Sequence, residues 1–143
     1  MDVVGKGECW MYQKIILASD GSEHALRAVD HAIKFVKSVP EYRLDVVIVM
    51  NDGMKGKQAV NMASLVEERL KLTKQKLKKA NVAFRTVILI GAPKQEIVKY
   101  AKREEVDLCI MGSRGLNRFQ EMVLGSVSHK TAKHINCPIM IIK

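Results

Sequence analysis

Gly112 and Gly115 stand three positions apart, and after nine intervening residues come Gly125 and Ser126, with Ser128 two further on. Those residue types at that spacing suit the holding of an anion. Glycine has no Cβ, so Gly112 and Gly115 can take φ > 0 and let a polyanion approach the backbone while successive amide N–H groups turn inward as a nest. Gly125 and Ser126 would act in the same way at the start of a helix. There the unpaired N–H groups and the positive end of the helix dipole favour phosphate, and the hydroxyls of Ser126 and Ser128 can donate as well. Taken separately, each half has a plainer reading, as a strand-to-helix turn or as a helix N-terminus.

A second polar cluster is Ala18-Ser19-Asp20-Gly21-Ser22, directly after the apolar run Ile15-Ile16-Leu17. Asp20 either faces a ligand or caps the following helix, with Glu23 three residues on completing a capping box.

These clusters need a frame to bring them together, and the chain alternates between short continuous apolar runs and helical periods. Strands are predicted at KIILAS from Lys14, RLDVVIVM (Arg43 to Met50), VAFRTVILI (Val82 to Ile90), VDLCIM (Val106 to Met111) and PIMII (Pro138 to Ile142). Between them lie four helical patterns. The first presents Leu26, Val29, Ile33 and Val36 on one face. The second, from about Gln58 to Ala80, presents Met62, Val66, Leu70 and Leu77. The third starts at Pro93 and turns Ile97, Val98 and Ala101 inward, and the last runs from about Gly125 to His134. Such β-α alternation implies a single-domain α/β protein, a five-stranded parallel sheet with helices on both faces. In such sheets a ligand binds beyond the carboxyl ends of the strands, where the strand order reverses. That is where Ala18 to Ser22 and Met111 to Gly115 must lie.

With these residues in view, the chain resembles the nucleotide-binding branch of the universal stress protein family. Gly112, Gly115, Gly125 and Ser126 match its G-x2-G-x9-G-(S/T) pattern. The likeness extends through Ser19-Asp20-Gly21-Ser22, Gly91-Ala92-Pro93 and Asn136-Cys137-Pro138-Ile139, and covers residues 14–143. It implies a Rossmann-like sheet of the adenine nucleotide alpha hydrolase type, in strand order 3-2-1-4-5, with residues 1–13 as an N-terminal extension. It also implies a cytoplasmic homodimer that binds ATP, or ADP or AMP, in a stress or regulatory role. Ala18 would line the adenine pocket with Val49 or its neighbour Met50 from the second strand, and Ser19 and Asp20 would lie beside the nucleotide. Met111, Gly112, Arg114 and Gly115 would approach ribose and phosphates. Gly125, Ser126, Val127 and Ser128 would complete the phosphate site. The family often has aspartate where this chain has Asn51. Dimerisation is expected through Pro138 to Ile142, whose backbone edge would otherwise be open, the alternative being an edge covered by the extension with Trp10 and Tyr12.

Composition narrows the remaining classes. At 143 residues with 48% apolar and 27% charged side chains, the chain suits one folded domain, and no apolar run approaches a membrane span. The net charge of +9 gathers in KLTKQKLKK, Lys71 to Lys79. That run reads as the solvated face of a helix, and its lack of aromatic stacking residues argues against nucleic acid. Three cysteines without a CxxC pair suit a reducing interior. There is no P-loop, no G-x-G-x-x-G and no i, i+4 histidine pair among His24, His31, His129 and His134. Arg114 and Lys130 can bind a phosphate without cleaving it, and no general base is evident. No catalytic residue is therefore assigned. Slow ATP hydrolysis or phosphoryl transfer remains the enzymatic alternative, with Asp20 helping to hold a nucleotide-bound Mg²⁺.

Overall fold

A computed structural model describes residues 12–50, 61–113 and 126–143. Nine elements alternate along it: β1 (Lys14–Ala18), α1 (Glu23–Lys37), β2 (Arg43–Met50), α2 (Met62–Lys79), β3 (Arg85–Ile90), α3 (Pro93–Arg103), β4 (Leu108–Gly112), α4 (Ser126–His134) and β5 (Ile139–Ile142). The sheet runs β3-β2-β1-β4-β5 with all four pairings parallel, as the sequence implied.

Strand alternation divides the core into two layers. Ile15, Leu17, Val46, Ile48, Met50 and Ile110 face α1 and α2. Ile16, Ala18, Val47, Cys109 and Met111 face α3 and α4. The central β1 carries Ile16 and Leu17 at zero exposure, one on each side. A strand buried on both faces has no polar alternation, which is why its sequence reads as one unbroken apolar run. Tyr12 packs edge-on against Phe35, with ring centroids 5.8 Å apart.

Three element starts differ from the sequence expectation, for identifiable reasons. β3 begins at Arg85 instead of Val82, because α2 closes with Asn81 in the left-handed region (φ 58) and Val82 N–H donating to the Leu77 carbonyl. β4 begins at Leu108 instead of Val106 because α3 ends in the same way, with Glu105 at φ 54 and Val106 N–H donating to Ala101. Both are Schellman closures, in which the first apolar residue after the turn finishes the helix before a strand can start. β5 begins at Ile139; Pro138 has no N–H for a ladder, though its carbonyl accepts from Cys109.

The buried face of α1 is rotated from the predicted one. Ala25, Ala28, Val29, Ala32 and Val36 are buried, while Leu26 and Ile33 are only half-buried. The alanines let α1 lie close to the sheet. In α2, Val66, Leu70 and Leu77 are buried and Met62 is half-buried, while positions 58–60 lie outside the described residues. Lys71, Lys78 and Lys79 are exposed, Lys76 pairs with Asp30 at 2.8 Å, and Lys74 pairs with Glu67.

Near the amino-terminal end of the sheet, Asp45 of β2 is buried at 1% exposure. Its carboxylate accepts from Arg85 Nε at 2.8 Å, Arg85 Nη2 at 3.0 Å, Arg43 Nη2 at 3.1 Å and the Tyr100 hydroxyl at 2.6 Å. Arg43 also reaches Glu104 at 3.2 Å. Burial alone would raise the Asp45 pKa, but the bonds from Arg85 and Tyr100, with the charges of Arg43 and Arg85, outweigh it and hold the pKa below its ordinary value. Tyr100 is pushed up to about 12, first by burial and then by its bond to the Asp45 carboxylate.

Candidate functional site

The polar residues that follow β1 are set by a tight succession of turns. Ser19 N–H still donates to Val47 of β2, at 2.9 Å, so the strand's pairing continues one residue past its end. Gly21 then turns the chain at φ 86, and a Cβ there would lie 2.5 Å from the Arg69 carbonyl of α2. The Asp20 carboxylate accepts from Ser22 N–H at 2.9 Å, and Ser22 Oγ accepts from Ala25 N–H at 3.2 Å. Ser22 is therefore the N-cap of α1, not Asp20, and the box with Glu23 does not form. Physically, two cap-competent side chains lie two positions apart, and the turn at Gly21 puts the second at the helix entrance. Asp20 is left exposed, with no cationic partner among the described residues.

Gly112 is the last residue of β4 and does not take positive φ. A Cβ built on it would lie 2.6 Å from the His24 carbonyl oxygen and 3.1 Å from Ala25 N. The absence of a side chain here lets the first turn of α1 rest on the strand. The expectation that Gly112 adopts φ > 0 to form a nest is thus corrected, because its backbone is held extended in the ladder and its bare face is turned to α1.

A cleft opens beyond the carboxyl ends of β1, β2 and β4, beside the switch point where the chain, having built β2 and β3 on one side of β1, returns to place β4 on the other. Ala18, Val49, Ile97 and Met111 give it an apolar wall, Ser19, Asp20 and Ser22 a polar side, and Gly112, Pro93 and Val127 close it further. Of the residues singled out in the sequence, Ala18, Ser19, Asp20, Val49, Met111, Gly112 and Val127 all line it. Val49 and Met50 part company: Val49 shares the face of Ala18 and Val47, while Met50 packs on the opposite face under α1 and α2, with Arg69 Nη1 at 3.9 Å from its sulfur. Ser126 and Ser128 stand in the first turn of α4. Arg114, Gly115 and Gly125 lie outside the described residues.

Sequence reasoning placed Ser22 at this end of the sheet without giving it a role, and did not assign His24, Ala25, Pro93 or Ile97 to the cleft. Pro93 and Ile97 carried a signal, since a helix that starts directly after a strand's carboxyl end presents its first turn to the same side of the sheet. His24 carried none. Its ring lies against the Arg27 guanidinium, with Nδ1 at 2.6 Å and Nε2 at 3.4 Å from Arg27 Nη2.

The cleft thus joins a flat apolar slot to small polar groups. That combination suits an aromatic base with an attached polar sugar, and the start of α4 suits an anion. Among the described residues no group of three side chains could hold a metal ion.

Comparison with known proteins identifies the family and the fold. The universal stress protein family model matches residues 11–143. Universal stress protein MJ0531 of Methanocaldococcus jannaschii is 30% identical over 141 residues, covering 93% of this chain and 83% of its own. The solved structure of MJ0577, from the same organism, superposes with a TM-score of 0.79 at 29% identity and covers 93% of this chain and 96% of its own. A universal stress protein of Arabidopsis thaliana, solved with AMP bound, shares the fold at a TM-score of 0.68 and 22% identity, covering 92% of this chain and 91% of its own.

Proposed function

The chain belongs to the universal stress protein family, and from that premise we propose that the cleft beyond β1, β2 and β4 holds an adenine nucleotide, ATP or its relatives ADP and AMP. The adenine would lie against Ala18, Val49, Ile97 and Met111, with the ribose near Ser19, Asp20 and Gly112. The phosphates would meet the amides that begin α4 at Ser126, Val127 and Ser128, with Arg114, Gly115 and Gly125 completing the cradle. The observation that carries this reading is convergence. Residues from three separate stretches, 18–20, 49 and 111–112, picked out by their chemistry or by the family resemblance, line one cleft together with Val127. The Arabidopsis relative of the same fold, which holds AMP, supports it. Any Mg²⁺ would travel with the phosphates, and Asp20 is the cleft carboxylate available to it.

In this reading the protein is a cytoplasmic regulatory module whose nucleotide state sets its affinity for a protein partner. It works as a homodimer through β5. That strand ends the sheet, and Ile139, Met140 and Ile141 are only half-buried in the single chain, so pairing with a second copy would cover both them and the open backbone edge. Sedimentation at tens of micromolar tests the dimer; a monomer, or a dimer undisturbed by Ile141→Pro, overturns it. The nucleotide is tested by acid extraction of freshly purified protein followed by chromatography. An adenine nucleotide near one per chain is expected from the wild type and none from Gly125→Val, whereas equal recovery from both would contradict the assignment.

A further inference from the structure

A second cleft adjoins the first and differs from it in charge. It runs between the start of α3 and one side of α4 and is lined by Ala92, Pro93, Lys94, Gln95, Val127, Lys130, Lys133 and His134. Pro93 and Val127 line both clefts, so the second lies directly beside the first. Three lysines and a histidine share this lining with no carboxylate. Among the described residues none of the three lysines has an acidic partner within ion-pair distance, although Lys74, Lys76 and Lys99 elsewhere each have one. Lys130 and Lys133 lie three apart on one helix, where like charges repel. His134 Nδ1–H donates to the Lys130 carbonyl at 2.9 Å, which fixes the ring against α4. The N-cap of α3 is Ala92, which offers no side-chain acceptor, so the Lys94 and Gln95 amides at the second and third helical positions add donors on the same side.

We propose that this cleft is a second anion subsite, specific for phosphate groups, placed so that a ligand can occupy it and the nucleotide cleft together. Its position beside that cleft rests on the nucleotide reading; its charge does not. Ammonium groups that line one cleft without a carboxylate repel one another until an anion neutralises them, and a polyphosphate chain offers several charges along a length that suits a cleft rather than a point. The phosphate could arrive as free inorganic polyphosphate or as the far end of a nucleotide bound next door.

Three ligands titrated calorimetrically at fixed salt separate these sources: AMP, inorganic tripolyphosphate and diadenosine tetraphosphate. They are compared on the wild type, on Lys94→Gln/Lys133→Gln, and on Lys71→Gln/Lys78→Gln, which removes the same charge from the exposed face of α2 and shows what net charge alone does. The cleft variant is expected to bind AMP within about threefold of the wild type and to lose at least tenfold for a polyphosphate ligand. A loss for tripolyphosphate supports a site for the free ion, and a loss for diadenosine tetraphosphate alone supports delivery from the nucleotide cleft. Equal binding of all three ligands by wild type and cleft variant, or the same loss in the α2 variant, overturns the proposal. If AMP fails to bind the wild type while the tripolyphosphate difference persists, the nucleotide reading falls and the anion site stands.

Discussion

Asp45 and Asp20 are aspartates at opposite ends of the same sheet, and their surroundings differ in every respect that matters to their use. Asp45 is 1% exposed and surrounded by donors from Arg43, Arg85 and Tyr100. Asp20 is exposed, with one oxygen on the Ser22 amide and no cation nearby among the described residues. The same contrast holds for the bases: Arg43 and Arg85 are paired, whereas Lys94, Lys130 and Lys133 have no acidic partner among the described residues. At the amino-terminal end, charge has been satisfied within the protein and serves the fold. At the carboxyl end the charges of Asp20, Lys94, Lys130 and Lys133 have no partner of opposite sign among the described residues, and that is the end where parallel sheets place their ligands.

The largest expected effect comes from Gly112, which belongs to the cleft by position and to the fold by packing. Gly112→Val puts a branched side chain where the His24 carbonyl already lies, and overpacking against backbone is expected to cost about 3 kcal/mol or more in urea unfolding. A cost under about 1 kcal/mol would show that α1 moves aside freely and that this glycine serves the ligand alone.

Asp45→Asn should come next, at about 2 kcal/mol, since it weakens several charge-assisted hydrogen bonds at a buried site. Its pH dependence carries a sign. The folded Asp45 has a lowered pKa, so its stabilisation is present above its ordinary 3.8 and is lost as pH falls through the folded value. The wild type should lose stability below about pH 4 more steeply than the Asn variant; parallel acid limbs would refute this.

Tyr100→Phe removes one hydroxyl donor and should cost about 1.5 kcal/mol. Tyr100 is the opposite case in sign. Its pKa is raised from 10.0 to about 12, so its stabilisation is present below pH 10 and lost between there and about 12. Melting curves across that range should show an alkaline decline in the wild type that is reduced in the Phe variant.

Ser22→Ala and Asp20→Ala sharpen the contrast at the cleft itself. Loss of the Ser22 cap should cost about 1 kcal/mol with little change in nucleotide affinity. Asp20→Ala should cost under about 0.5 kcal/mol, the range for surface changes, and weaken nucleotide binding measured with Mg²⁺. The reverse pattern in melting and binding would return the cap to Asp20 and remove it from the site.

The strand order and Val49 came from the family resemblance, whereas the parallel sheet and the placing of residues 18–22 and 111–112 at one end of it were legible because both faces of this sheet are covered. Its central strands are unbroken apolar runs, and each run ends in small or polar residues. What could not be read lies in contacts between distant segments. Nothing near Gly112 in sequence announces that the backbone of residue 24 rests on it. The choice between Asp20 and Ser22 as cap depends on the Gly21 turn, and the true face of α1 depends on alanines, which a hydrophobic pattern underweights. The starts of β3 and β4 shifted because Asn81 and Glu105 take left-handed conformations usually signalled by glycine. His24 entered the cleft from a helix face that reads as solvent.

Equilibrium dialysis of labelled AMP against the wild type and against Val49→Glu tests the central claim most directly. Val49 stands at the end of β2 on the cleft side, and a carboxylate there would place charge in the base slot and repel the phosphate. The account predicts saturable binding of one AMP per chain in the wild type and at least a tenfold loss in a folded Val49→Glu variant. Absence of binding to the wild type, or equal binding by both proteins, would contradict it.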